Sequence, residues 1–310
     1  MHPALVNRTM AFGGGADKTA MHVESGLKLV SYRDGDCDAY GKVEDGGVIP
    51  VSGELAARFP SIRALIAADA VNELADRLSG LDPELGLDEI SYIPPLWDAE
   101  KVICIGVNYP KRHPVEGEIP PPEHISMFGK FEGSVVGHKE PLILPRGEAA
   151  ETFDYEGELV LVIGREGRYI AEEDAFDHIA GYTIMNDGSV RGWQKHSVPA
   201  GKNFLAASAS GPWMVTADEI DDPFAMRLST RLNGEEVQST TAGDMIFNIP
   251  TLINYVSEFL HLKPGDIIST GSPAGSGGSR VPQRFLVAGD ELEIEWSGIG
   301  TLKNRVETAE

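Results

Sequence analysis

The sequence predicts a mostly β chain of the α+β class, with a small N-terminal α+β domain ahead of a larger strand-rich one. Three observations carry this. Beyond residue 98 short apolar runs recur between Gly, Pro, Asn or Asp residues, a single segment there has helical spacing, and strands do not alternate with helices as a doubly wound sheet requires.

Residues 1–21 contain three consecutive glycines and no periodic pattern, and read as an N-terminal extension, mobile by composition. In the domain at 22–97, LKLVSYRDG and AYGKVEDGGVIPV read as strands separated by Asp-Gly turns, and SIRALIAADAVNELADRLSGL as a helix. Ile62, Leu65, Ile66, Ala70 and Leu74 fall on one stripe of that helix, with Ser61 as its cap. The expectation is a unit that packs on the main domain and does no chemistry. The paired prolines of SYIPPLWDAEK mark a boundary, and residues 98–310 form the second domain. Its strands are VICIGV, LVLVIG, AGYTIMND, GPWMVT, LSTRLNG, DIISTGS and DELEIEW; its helix is MIFNIPTLINYVSEFLHL.

The 310 residues carry 48 acidic against 26 basic side chains, a net charge of -22, so nucleic acid and anionic membrane are excluded as natural partners. A small anionic substrate would need local cations, from Lys, Arg or a bound metal. Cys37 and Cys104 form no C-x-x-C and read as reduced thiols, which points to the cytoplasm. No apolar run approaches the roughly 20 residues of a membrane span.

Candidate chemistry begins at FDYEGELVLVIG. A strand of period two sets Glu156 and Glu158 side by side on one face, about 6 to 7 Å apart. In ELEIEW, Glu291, Glu293 and Glu295 share that spacing on a face that stays polar, so water explains them. Beyond Glu158 the same face continues as Val160 and Val162 and the other carries Leu159, Leu161 and Ile163, so this strand is covered on both sides. Two buried like charges cost several kcal/mol without a partner, a conflict that a divalent cation removes. Asp187, where AGYTIMND ends abruptly, offers a third carboxylate for Mg²⁺, Mn²⁺ or Ca²⁺. Spacing alone leaves a wet strand end and an ordinary Asp-Gly turn open as readings of the two segments.

Taken together, VICIGVNY, FDYEGELVLVIG, AGYTIMNDGSVRGWQ, GKNF, GPWMVTADEI, LNGEEVQ, MIFNIPTLINYVS, LKPGDIISTGSPAG and GIGTLKN resemble the fumarylacetoacetate hydrolase family over roughly residues 100 to 305. The resemblance implies a mixed β-roll catalytic domain, a homodimer, and one divalent metal per chain, Mg²⁺ or else Mn²⁺ or Ca²⁺, on Glu156, Glu158 and Asp187. It further implies action on 2-oxo acids through a metal-bound enolate, foremost hydrolysis of the C-C bond of an acylpyruvate, as in aromatic catabolism. Oxaloacetate decarboxylation and 2-oxo-acid hydration or isomerisation are alternatives on the same site. A metal-stabilised binding protein without chemistry is the non-enzymatic alternative.

By the same resemblance His113 and Glu116 form the base that activates water, on a short lid-like helix. Arg191, Gln194 and Lys202 hold the substrate's carboxylate and oxo group, with Lys202 also steadying the metal's carboxylates, and Ser272 offers a hydroxyl. The chain departs from the family pattern in one extra residue before His113, in Pro110 and Pro114 flanking it, in Ser272 where relatives have threonine, and in Gly192 where relatives often have an aspartate beside Arg191. Phosphate-loop, zincin and serine-hydrolase signatures are absent from the sequence. GSPAGSGG reads as a loop.

Overall fold

The computed structural model describes residues 26–110, 112–113, 117–118 and 120–309. Its first strands follow the turn chemistry. Lys28–Asp34 pairs with Cys37–Glu44, and that strand with Gly47–Pro50, each pair joined by two residues. In the second of these turns Asp45 and Gly46 both have positive φ, the geometry that matches the twist of a hairpin.

The helical segment after them differs from the single helix expected. It is two helices, Ile62–Ala67 and Val71–Leu78, separated at Asp69, whose φ of +52° leaves the helical region. Aspartate is among the few residues that tolerate this conformation. The apolar stripe survives the break, because Ile62, Leu65, Ile66, Ala70 and Leu74 are all buried. Ser61 caps the first helix, accepting from the Ala64 amide at 3.1 Å while its hydroxyl donates to Asp98 at 2.6 Å.

One large sheet runs in the order Leu85–Gly86, Gly47–Pro50, Cys37–Glu44, Lys28–Asp34, Ser208–Thr216, Ile179–Asn186, Gly157–Ile163, Ile267–Ser269, Val102–Gly106, Ser126–Gly129. A second has the order Leu142–Leu144, Gly300–Thr308, Glu291–Trp296, Arg227–Leu232, Glu235–Thr241. The mostly β reading of the chain therefore holds, with helix Ile249–Phe259 where the sequence places it.

The Gly157–Ile163 strand lies between two cores. Leu159, Leu161 and Ile163 pack in the cluster that holds Leu228, Ile294 and Trp296 of the second sheet and Leu252, Ile253 and Val256 of the helix. Val160 and Val162 pack in the cluster of the N-terminal helices, with Ile62, Leu65, Leu74, Met185 and Met214. Every residue of this strand is buried. In ELEIEW, by contrast, Leu292, Ile294 and Trp296 are buried, while Glu293 and Glu295 sit half-buried beside Lys303 and Arg231.

The second sheet closes onto the large one at Gly157, between the two glutamates. A Cβ there would lie 2.4 Å from Thr230 Oγ1 and 3.1 Å from Ile294 Cγ2. Gly157→Ala is therefore expected to destabilise the fold by about 1–3 kcal/mol, as overpacking does. In urea denaturation the Gly157→Ala/Thr230→Ala double variant should lose less than the sum of the single losses. Full additivity would show that Thr230 is not what excludes a side chain at 157.

Candidate metal centre

Strand register brings the carboxylates together. Gly157 pairs with Asn186, so Glu156 falls beside Asp187, whose amide donates to the Glu156 carbonyl at 2.9 Å. The Glu156 amide in turn donates to Asn186 Oδ1 at 3.0 Å. Glu158 is two residues on and returns to the same face. One carboxylate oxygen from each of Glu156, Glu158 and Asp187 lies within 4.8 Å of the others. The glycine after Asp187 is needed for close approach, since a Cβ on Gly188 would sit 1.7 Å from the Ala207 carbonyl oxygen.

Glu158 and Asp187 are each 1% exposed and Glu156 9%. Lys202, at the end of the Val198–Lys202 helix, bridges Glu156 Oε2 and Asp187 Oδ2, the latter at 2.6 Å. Lys130 lies 2.5 Å from Asp187 Oδ1 and donates to Ser208 Oγ at 2.8 Å. Arg191 reaches Glu156 Oε1 with Nη2 at 2.9 Å and Asp154 Oδ2 with Nε at 2.7 Å. Glu158 accepts from neutral donors, the Ser269 hydroxyl at 2.6 Å and the Gly271 amide at 3.0 Å.

Burial, with Asp187 and Glu156 close by, pushes the Glu158 carboxyl up to about 8. Burial works against the Lys202 ammonium, but Asp187 and Glu156 outweigh it and hold that group above the ordinary lysine value. The donor set is oxygen only and carries excess negative charge in a dry place, which fits a hard dication such as Mg²⁺, Mn²⁺ or Ca²⁺.

Of the other residues named from sequence, Arg191 and Gln194 share the short helix Arg191–Gln194. Only Arg191 meets the carboxylates; a Cβ on Gly201 would lie 2.4 Å from Gln194 Cγ, so that side chain packs against the Val198–Lys202 helix. Ser272 is buried one residue past Gly271 and accepts from Gln238 Nε2 at 2.8 Å. Tyr155 is a packing residue, buried with its hydroxyl donating to the Gly275 carbonyl at 2.9 Å. The backbone at Arg112–His113 is a strand paired with Gly117–Glu118, not the short helix the resemblance implies. A proline on either side of that segment disfavours helix. The His113 side chain and Glu116 lie outside the described residues.

Three buried residues escape the sequence reading. Lys130 enters from the end of the Ser126–Gly129 strand, and nothing in its neighbourhood in sequence marks it. Gln238 joins the Gly157 amide, the Ser272 hydroxyl and the Pro273 carbonyl. Asp154 does carry a signal, for it continues the spacing of Glu156 and Glu158 two residues earlier. It gives Arg191 a carboxylate partner despite Gly192, whose amide donates to Thr152 Oγ1 at 2.9 Å.

A model of the family described as Fumarylacetoacetate (FAA) hydrolase C-terminal matches residues 101–307. Oxaloacetate tautomerase YisK of Bacillus subtilis (strain 168) is 40% identical over 244 residues, 76% of this chain and 80% of that protein. The mitochondrial oxaloacetate tautomerase fahd2 of Xenopus laevis is 40% identical over 226 residues, 72% of this chain and 70% of its own. Among solved structures, maleylpyruvate hydrolase from Sphingobium sp. SYK-6 superposes with a TM-score of 0.75 at 25% identity, over 91% of this chain and 100% of that one. No helix among the described residues is long and apolar enough to cross a membrane.

A raised Glu158 pKa links metal and proton binding. A carboxyl that titrates near 8 is protonated at pH 7 and must ionise to bind a cation. Binding of Mn²⁺ should therefore release about one proton at pH 7, and affinity should rise close to tenfold per pH unit below 8 and level off above it. Calorimetry in two buffers of different ionisation enthalpy measures this directly. The Glu158→Gln variant should bind more weakly and lose the proton release.

Proposed function

The chain belongs to the fumarylacetoacetate hydrolase family, and from that premise we propose that it is a divalent-cation-dependent enzyme interconverting the enol and keto forms of oxaloacetate. The observation that carries the reading is the convergence of three buried carboxylates with Lys130, Lys202 and Arg191 on one face of the large sheet. The named activity of relatives 40% identical to this chain supports it.

Glu156, Glu158 and Asp187 would hold the cation, with Mg²⁺ the proposed occupant. A dication there supplies Lewis-acid stabilisation of negative charge on the 2-oxo oxygen. The remaining work falls to the chain. Among the described residues Glu156, Glu158, Asp187 and Asp154 face Lys130, Lys202 and Arg191, and once cation binding has displaced the Glu158 proton the four carboxylates carry one negative charge more than these three side chains offset. A dication changes that balance to one net positive charge, which suits a 2-oxo diacid in an otherwise acidic protein. Lys202 and Arg191 are already fixed by ion pairs, so little reorganisation is needed when charge develops on the substrate. Gln194 and Ser272 are proposed to hydrogen-bond its carboxylates.

Tautomerisation removes a proton from the enol oxygen and delivers one to C3. It needs charge stabilisation and a proton carrier but no attacking water. His113, oriented by Glu116, is the proposed carrier, since an imidazole exchanges protons near neutral pH. Hydrolysis of an acylpyruvate is the second reading, favoured by the likeness to maleylpyruvate hydrolase. It would require the same histidine to place and deprotonate a water. Homodimerisation and a cytoplasmic setting complete the proposal, the first checked by light scattering.

Loss of the oxaloacetate enol absorbance, with Mg²⁺ or Mn²⁺ and again after EDTA, tests the reading. Pyruvate release from oxaloacetate, acetylpyruvate and fumarylpyruvate is followed in parallel. The expected result is metal-dependent loss of enol without matching pyruvate, and a fall in kcat/KM of about 100-fold or more in Glu158→Gln. Pyruvate released as fast as enol is lost would replace tautomerase with decarboxylase. Turnover confined to acylpyruvates would establish the hydrolase, and no metal-dependent turnover of any of them would sink the enzyme reading.

A further inference from the structure

The glycine-rich stretch after Ser272 is tied to Arg191 through one carboxylate. Asp154 is fully buried, and its two oxygens take four donors. Oδ1 accepts from the Tyr155 amide at 2.9 Å and the Gly277 amide at 2.7 Å. Oδ2 accepts from the Gly278 amide at 3.0 Å and Arg191 Nε at 2.7 Å. The far side of the same guanidinium then meets Glu156 at 2.9 Å.

The glycines let the backbone come this close. A Cβ on Gly277 would lie 2.1 Å from the Arg284 carbonyl oxygen and 2.8 Å from Asp154 Oδ1. On Gly278 it would lie 3.2 Å from Asp154 Oδ2 and 3.6 Å from Arg191 Cγ, so the loop rests on the arginine stem. Further ties pin the loop: Tyr155 holds the Gly275 carbonyl, and Arg280 pairs with Glu235 at 2.6 Å. Only an ionised carboxylate presents acceptors for all four donors; an asparagine would turn an N–H toward amides that already donate.

We infer that Asp154 is a positioning residue, which with the Gly277–Gly278 amides fixes the Arg191 guanidinium in the one orientation that serves both Glu156 and an incoming carboxylate. This rests on the substrate site proposed above, where Arg191 meets the acid. The loop that looks like a connector is the backing of that arginine.

The test is a double-mutant cycle of Asp154→Asn and Arg191→Gln on the Mn²⁺-loaded protein, read by calorimetric binding of oxalate and by KM and kcat on oxaloacetate. Asp154→Asn should weaken oxalate binding and raise KM about tenfold, within the range for groups that orient ligands, while kcat changes less. In the Arg191→Gln background it should add almost nothing. Gly278→Ala, which presses on Asp154 Oδ2 without requiring a new backbone conformation, should shift oxalate affinity in the same direction and keeps the test alive should Asp154→Asn fail to fold. Equal losses in both backgrounds, or oxalate affinity unmoved in Asp154→Asn and in Gly278→Ala, would overturn the inference. Oxalate bound by wild type without turnover of oxaloacetate would instead sink the tautomerase reading, and the cycle on oxalate would still decide the role of Asp154.

Discussion

Three carboxylates buried at the meeting of two antiparallel strands are the constraint around which this site is arranged. Uncompensated, such a cluster would cost several kcal/mol or hold a proton. The chain answers from distant segments. Lys130, Arg191 and Lys202 bring cations from three separate places in sequence, and Ser269 and Gly271 bring donors from a fourth. Glu158 accepts from the neutral Ser269 and Gly271 donors, and burial, with Asp187 and Glu156 close by, displaces its carboxyl upward. The fold thus balances most of the charge and leaves a remainder that suits a dication.

The arrangement depends on register. Glu156 faces Asp187 because Gly157 pairs with Asn186, and a slip of one residue would turn Glu158 into the opposite core. That register is held by packing on both sides. Leu159 and Leu161 belong to the core shared with the second sheet, Val160 and Val162 to the core shared with the N-terminal helices. Gly157 and Gly188 admit a neighbouring side chain or backbone at distances no Cβ would allow. The geometry of the three carboxylates is therefore a product of core packing rather than of the loops around it.

How much of this was legible follows from where each signal resides. The glutamate pair shows in sequence because its apolar continuation makes the charges costly, whereas ELEIEW, with the same spacing, keeps its glutamates at the surface with Lys303 and Arg231. Ser61, the apolar stripe and the hairpins were readable because they are local. The break at Asp69 was not, since the periodicity of the stripe continues across it. Lys130 could not be read, for it meets Asp187 across 57 residues and no periodic rule links them. Asp154 was readable in principle, two residues before Glu156, but its meaning comes from Gly277 and Gly278, more than 120 residues later. At His113 the resemblance implied a helix, which Pro110 and Pro114 disfavour, and the backbone of Arg112–His113 is instead a strand paired with Gly117–Glu118.

Among the described residues the N-terminal unit supplies none of the site's charged groups, yet the site's electrostatics depend on it. Its helices share a core with Val160, Val162, Met185 and Cys104, the apolar surface next to Glu158. They help keep water from that face, and desolvation is the largest cause of the Glu158 displacement. A charge interaction strengthens as the local dielectric falls, so the same packing that makes Glu158 reluctant to ionise strengthens its attraction for a dication. The buried thiol of Cys104 shows the same effect, its pKa pushed well up by burial first and by the nearby Asp187 second. A unit read from sequence as packing alone thereby helps set how strongly the carboxylates demand their partner, without placing a charged group among them.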